Sequence, residues 1–230
     1  MQNLPSAEVY EKEVKYMPWG ILIAEIENLV SIKVPQGGAV LDLLCGTGNL
    51  LWKLQNLRED LHYFGVDQEF EYIEFARNKY RKINFDVANA LEWRSNQRFD
   101  TVLVTGGLHH IPYGKQRDLI GKVSNLIKDN GFAIIADPYI SDYSNEQERK
   151  IAAAQLGYEY LTATIQNGAT DNVIKATADL IANDILLVEY KTSIKRIRPF
   201  FEEHFSSIEM HKTWPNEETK YGDYYFVLRK

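Results

Sequence analysis

The stretch Val40-Leu-Asp-Leu-Leu-Cys-Gly-Thr-Gly-Asn-Leu50 decides the fold. Ala39 to Leu44 is a short apolar run that reads as a buried strand, and Leu50, Leu51, Leu54 and Leu57 have the spacing of an amphipathic helix. Between them, Gly46 and Gly48 permit a tight turn and let a ligand approach the backbone closely. The helix that follows offers free N–H groups and the positive end of its dipole. Asp42 points a carboxylate towards the same crevice, and Asp67 ends the next strand 25 residues further on. A carboxylate there accepts hydrogen bonds from both hydroxyls of a ribose. A dinucleotide fingerprint, G-x-G-x-x-G, requires glycine or alanine where this chain has Leu51. Asp42 would also repel a pyrophosphate, whereas it attracts an ammonium or a sulfonium. The turn is therefore expected to bind a cationic nucleoside.

Outward from this turn, apolar strands alternate with amphipathic helices. Strands are expected at His62 to Val66, Ile83 to Val87, Phe99 to Thr105 and Phe132 to Ala136, with a helix from Glu69 to Tyr80. A further helix carries Leu119, Val123, Leu126 and Ile127 and is expected to stop at Asn130-Gly131. The alternation predicts an α/β fold: a Rossmann-like, seven-stranded, mostly parallel sheet with helices on both faces. Ahead of it, residues 1–35 read as N-terminal helices, with Val9, Val14, Ile21, Ile26 and Leu29 partly buried and a break at Pro18. After the fifth strand, Ile151, Ala154, Tyr158, Leu161 and Ile165, then Ile174, Ala178, Ile181, Ile185 and Val188, predict two inserted helices. A helix from Ser193 to His204, which packs Phe201 and Phe205 on the sheet, and strands at Ser207 to His211 and Tyr224 to Leu228 close the chain. One domain spans 1–230: a helical cap (1–35), a cofactor-binding core (36–138), a helical lid insertion (139–190) and the last helix and strands (191–230).

The 230-residue chain has 45% hydrophobic residues, 25% charged residues and a net charge of −6. That balance argues against a nucleic acid partner, which selects a basic face. Cys45 is the single cysteine, so neither an internal disulfide nor a cysteine-based zinc cluster is available. The N-terminus lacks the features of a signal peptide, and no apolar run approaches the roughly 20 residues of a membrane span. The expectation is a cytoplasmic protein with no membrane partner; a homodimer is compatible with the sequence.

The segment from Asp42 to Gly48 resembles motif I of the class I S-adenosylmethionine-dependent methyltransferases, D/E-x-G-x-G-x-G. Gly65 to Lys79 resembles their second motif, Phe99 to Pro112 their fourth strand and its loop, and Leu126 to Pro138 their fifth strand. Together the resemblance covers about residues 34–138. It implies S-adenosylmethionine as cofactor, its methionine end held by backbone around Leu44, Gly46, Thr47, Gly48 and Asn49, with Asp42 serving its amino group. Asp67 would bind the ribose and Gln68 would lie beside the adenine. Asn89 and Ala90, in Val87-Ala-Asn-Ala-Leu-Glu-Trp93, would take the adenine amino group, and Thr105 and Gly106 would line the floor. Tyr10, Tyr16 and Trp19 would close the pocket. One departure stands out: Leu44 occupies the first motif glycine.

Methyl transfer needs alignment, exclusion of water and, for a protonated nucleophile, a base. His109 and His110 follow the fourth strand, where this family faces its substrate, and imidazole has the proton affinity for the task. His110 is slightly preferred. Tyr139, Tyr143 and Tyr158 are the expected substrate-binding residues, and Tyr160 joins Tyr143 and Tyr158 as a candidate for an aromatic substrate pocket. Asp137-Pro138-Tyr139 reads as a turn, Cys45 as non-catalytic, and His204 and His211 lack a metal-ligand spacing, so no metal is expected. Lys195, Arg196 and Arg198 read as a solvated helix face. The expected function is methyl transfer to an O or N nucleophile of a small molecule. The alternatives are a non-catalytic partner with weakened cofactor binding, signalled by Leu44, and a protein or RNA methyltransferase.

Overall fold

The computed structural model describes residues 6–13, 15–186 and 189–230. Seven strands form one sheet: β1 (Ala39–Leu43), β2 (His62–Asp67), β3 (Asn84–Val87), β4 (Phe99–Thr105), β5 (Ile127–Tyr139), β6 (Ser207–Trp214) and β7 (Gly222–Arg229). Their order is β3-β2-β1-β4-β5-β7-β6, with β7 antiparallel to both of its neighbours and the rest parallel. The chain runs one way from β1 to β3 and the other way from β4, so the order reverses between β1 and β4. A parallel sheet opens a crevice at such a reversal, beyond the carboxyl ends of its strands.

The β1 strand shows why this part forms first-rate interior: Val40, Leu41 and Leu43 are fully buried between two helical layers. On one face, α5 (Tyr113–Leu126) and α8 (Ile194–His204) press Leu119, Ile120, Val123, Ile197 and Phe201 onto the sheet. On the other, α2 (Trp19–Lys33), α3 (Asn49–Leu57) and α4 (Phe70–Lys79) contribute Leu22, Ile26, Leu51, Leu54 and Ile73. Phe201 and Phe205 are buried as the sequence predicts. Pro18 stands at the N-terminus of α2, separating it from α1 (Ala7–Glu13). The buried stripe of α2 is Leu22, Ile23, Ile26 and Val30, whereas Ile21 is exposed; Val14 lies outside the described residues.

Two expectations are corrected. The fifth helix ends at Leu126, not at Asn130-Gly131, because Ile127 already pairs with Phe99. The pairing then jumps from Phe99–Ile127 to Thr101–Phe132, so Asn130 and Gly131 sit in an irregularity within β5. A side chain at Gly131 would meet the Asp100 carbonyl oxygen at 2.8 Å, which explains the glycine. The second correction concerns the inserted helices α6 (Glu146–Gln166) and α7 (Asp171–Leu186). The apolar stripe read from α6 faces outward: Ile151 is 68% exposed, Tyr158 69% and Ile165 50%. Its buried face is instead Arg149, Ala152, Ala153, Leu156, Gly157 and Thr164. Small residues win that face because they let α7 come close, with Ile181 filling the notch at Gly157. In α7, Val173, Thr177 and Asp184 are buried and Ala178 is exposed; Val188 lies outside the described residues.

A methyl group at Gly157 would lie 2.6 Å from the Ile181 side chain, inside contact distance. Gly157→Ala is expected to destabilise the protein by about 1–3 kcal/mol through overpacking. Ile181→Val in the same chain should recover part of that loss, as read by urea denaturation of the single and double variants. Additive losses would mean that the two helices do not depend on this contact.

Candidate functional site

The chain leaves β1 through Leu44, whose φ of 65° is left-handed, the only positive φ at a non-glycine among the described residues. A branched side chain there costs on the order of 1 kcal/mol. The conformation persists because the Leu44 and Cys45 N–H groups both donate to the Val66 carbonyl oxygen, at 2.8 and 3.1 Å. Leu44 itself packs over Gly107, where an added Cβ would lie 2.7 Å from the leucine Cβ. Gly46 and Gly48, at φ 54° and 74°, complete the turn, and Gly48 caps α3. Phe85 packs so tightly on Gly48 that a Cβ there would come within 2.6 Å.

Asp67 organises this turn. Its Oδ2 accepts the Gly46 N–H at 2.8 Å and its Oδ1 accepts the Glu69 N–H at 3.0 Å. Each carboxylate oxygen keeps a further lone pair for a ligand. Asp42 is buried beneath the turn with Oδ1 unpartnered, and burial together with the Asp67 charge pushes its carboxyl well above the usual range. A cation arriving in this crevice would relieve both effects. The site therefore fits a ligand that combines a ribose with a positive charge.

A cavity of about 360 Å³ opens at this turn. Its lining brings together Leu44, Gly46, Asp67 and Gln68, Leu156 and Tyr160 of α6, and Lys175 and Asp179 of α7. Gly106, His109 and His110, from the loop after β4, line it as well. Tyr10, Met17 and Trp19 cover it from the N-terminal segment, with the Trp19 ring laid against Gly106. Several expected residues lie elsewhere. Tyr16 is not in the wall and offers its carbonyl to Asn167. Asp42 and Thr47 are buried, Gly48 and Asn49 open α3, and Ala90 packs in the core, none of them lining the cavity. Asn89 spends its carbonyl oxygen on the Leu91 N–H at 2.9 Å and extends its amide to Gln68 at 3.5 Å. Thr105 lies beneath Gly106 with its hydroxyl buried and unpartnered.

The expected substrate tyrosines are corrected more sharply. Tyr139 is fully buried against Tyr224 and Phe226, Tyr143 stacks under Arg196, and Tyr158 faces solvent. The aromatic residue of the insertion that does reach the cavity is Tyr160, whose hydroxyl donates to Asp223. Of the three tyrosines that the sequence offered from the start of the insertion, Tyr160 alone lines the cavity, from the side of α6 opposite the apolar stripe.

Beneath the insertion lies a layer of buried ionisable groups. His109 Nδ1 is 2.9 Å from Asp137 Oδ1, and His110 Nδ1 is 2.5 Å from Glu189 Oε2. Lys191 pairs with Asp184 at 2.5 Å. Burial lowers the His109 proton affinity well below the imidazole norm, reinforced by His110 and Lys191. Burial pushes Asp137 up to about 8 and Asp223 up to about 7. For Glu189, burial alone would raise the pKa, but the His110 hydrogen bond and the nearby His109, His110 and Lys191 charges hold it below its ordinary value. His109, His110 and Glu189 are also a group whose donor atoms lie within 4.8 Å of one another, compact enough for a metal ion. The imidazole–carboxylate contacts already present describe it as a hydrogen-bonded cluster. Glu189, Asp184 and Lys191 had no period or motif to announce them in the sequence, and Asp137 stood there as a turn residue.

An acid-flanked glycine turn at the strand-order reversal, opening into a roofed cavity, defines a nucleoside-binding α/β protein. A family model described as a methyltransferase domain matches residues 35–203, and the chain belongs to the class I S-adenosylmethionine-dependent methyltransferases. A carboxy-S-adenosyl-L-methionine synthase of Campylobacter concisus is 35% identical over 117 residues, which cover 49% of this chain and 50% of that relative's length. Among solved structures, the plantazolicin methyltransferase in complex with a monoazolic desmethylPZN analog and S-adenosylhomocysteine superposes with a TM-score of 0.67 at 10% identity, over 97% of this chain and 90% of that one. The magnesium protoporphyrin IX methyltransferase of Synechocystis, with bound S-adenosylhomocysteine, gives 0.60 at 16% identity over 91% and 82%. At these identities the two structures show a shared fold.

The buried Asp137 carries a stability signature. Between the ordinary carboxylate range and about 8, the folded state holds a proton that the unfolded chain has lost. Stability from this group is complete below the ordinary carboxylate pKa and is lost as pH rises through about 8, at up to about 1.4 kcal/mol per pH unit. His109 acts in the other direction and only below about 6.5. Urea denaturation of the wild type is thus expected to show stability falling from pH 6.5 to 8, with a flatter profile for Asp137→Asn. Parallel profiles would refute the buried-carboxyl account.

Proposed function

We propose that the protein transfers a methyl group from S-adenosylmethionine to an O or N nucleophile of a small molecule. The observation that carries this reading is a single cavity whose lining joins the nucleoside turn and Asp67 to His109, His110 and residues of α6 and α7. S-adenosylmethionine, when bound, supplies a methyl group activated by a sulfonium. Backbone around Leu44 and Gly46 would hold its methionine end, Asp67 its ribose hydroxyls, and Gln68 would lie beside its adenine. Asp42, buried beneath the turn and outside the cavity lining, would answer the ligand's positive charge from behind the turn. Tyr10 and Trp19 exclude water from above. His110 would take the proton of the acceptor, and His109, more deeply buried and facing Asp137, would support it. The roof formed by α6 and α7 limits the chamber to a small acceptor, and the net charge of −6 disfavours nucleic acid. We place the reaction in the cytoplasm.

Calorimetry with S-adenosylmethionine and S-adenosylhomocysteine tests the donor half. Both should bind, and Asp67→Ala should lose at least tenfold in affinity for each; no binding by folded wild type would end the proposal. Incubation with methyl-labelled S-adenosylmethionine and panels of small phenols, alcohols and amines tests the acceptor half. With an acceptor found, His110→Ala should lower kcat by about 10²–10⁴, the range for a general base, with donor affinity unchanged. Formation of a carboxy derivative of S-adenosylmethionine when a carboxylic acid able to give up its carboxyl group is also supplied, without methyl transfer to an acceptor, would replace methyl transfer by the chemistry for which the Campylobacter relative is named.

A further inference from the structure

We infer that Glu189, delivered by the return of the helical insertion, is a positioning residue that holds His110 in the tautomer of a base, so that the base is complete only while the insertion is seated. The chemical purpose of this arrangement rests on the methyl-transfer reading; the contact itself rests on geometry. Glu189 is 1% exposed, its Oε2 lies 2.5 Å from His110 Nδ1, and its Oε1 has no partner. A carboxylate accepts, so Nδ1 carries the hydrogen and the lone pair of the neutral ring stands on Nε2. The same pairing logic orients the imidazole of a hydrolase triad. His110 forms part of the cavity wall, which makes Nε2 the nitrogen available to an acceptor. His109 cannot take the role as readily: Nδ1 faces Asp137 at 2.9 Å and Nε2 lies 3.9 Å from Glu189. In the step, the acceptor's O–H or N–H proton bonds to Nε2, the electron pair of that bond stays on the acceptor, and the imidazolium is balanced by Glu189.

The insertion is fastened to this pair on both sides. The Tyr190 N–H donates to the His109 carbonyl oxygen at 2.7 Å, and Gln116 Nε2 and the Tyr113 hydroxyl donate to the carbonyls of Tyr190 and Lys191 at 3.0 and 2.8 Å. Lys191 reaches back to Asp184 in α7. Arg149 of α6, 1% exposed, donates to the Asp184 and Ile185 carbonyls at 2.8 and 3.0 Å, closing the C-terminal end of α7. A shift of α6 and α7 would therefore pull directly on the segment that carries Glu189. The charged and titratable groups that bear on His110 are Glu189 and Lys191 from the return segment, Asp184 from α7, Asp137 from β5 and His109 from its own turn.

Heteronuclear NMR of protein labelled at histidine, in mildly alkaline buffer where imidazole is neutral, reads the tautomer of His110 without any acceptor. Wild-type His110 should carry its hydrogen on Nδ1, bonded to Glu189. Glu189→Leu should move the hydrogen to Nε2 in most molecules, whereas Glu189→Gln, whose carbonyl oxygen still accepts from Nδ1, should keep it on Nδ1. Arg149→Met, which loosens the C-terminal end of α7, should give a mixture of the two tautomers. An Nε2–H ring in the wild type, or an unchanged tautomer in Glu189→Leu, overturns the inference. So does stoichiometric zinc binding at wild-type His110 that chelation reverses, which would assign the cluster to a metal. Binding of S-adenosylhomocysteine, measured alongside, separates the two readings: its absence ends the methyl-transfer proposal and leaves the tautomer result to stand or fall alone.

Discussion

Two N–H groups on one carbonyl oxygen hold the crevice open. The Leu44 and Cys45 amides converge on Val66, and that bifurcation ends β1, turns the chain out of the sheet and ties the turn to the tip of β2. Asp67, the residue after Val66, can then reach Gly46. The glycine turn, the start of α3 and the carboxylate that faces the cavity thus share one anchor. Without it, Leu44 would relax from a left-handed backbone that its side chain disfavours.

The second half of the site is built on different principles. The turn is made of backbone geometry, whereas the far wall is made of buried charge. Asp137 and Asp223 of the sheet and Asp184 and Glu189 of the insertion bring four carboxyls together, against Lys191, His109 and His110. Desolvation makes such a layer tolerable only when protons are shared or withheld, which is why Asp137 and Asp223 are held protonated towards neutrality and Glu189 is not. Fixed charge therefore gathers where His110 meets the insertion.

Legibility in the sequence follows the same division. The sheet was readable because β1, β4 and β5 are apolar runs separated by helical periods and punctuated by glycine. Asp42, Gly46 and Asp67 were readable because backbone turns demand particular residues at particular offsets. The insertion announced its helices but not their faces: α6 buries alanines, Gly157 and Arg149 and exposes its isoleucines. A hydrophobic period marks a face only when apolar area decides the packing, and here close approach between two helices decides it. The partners of the histidines were hidden for another reason. Glu189 lies 79 positions from His110, and nothing in either neighbourhood signals that they meet.

The contact between Leu44 and Gly107 imposes an order on how this protein can change. While leucine stands at 44, its Cβ lies where any side chain at 107 would begin, so that position is closed to every other amino acid. A glycine at 44 would both relieve the left-handed backbone and vacate the space above 107. The first substitution must therefore fall at 44, and only afterwards can 107 grow. Seen this way, the departure at the nucleoside turn and an ordinary-looking glycine 63 residues away form a single steric unit, in which the loop that carries the histidines is committed to the leucine.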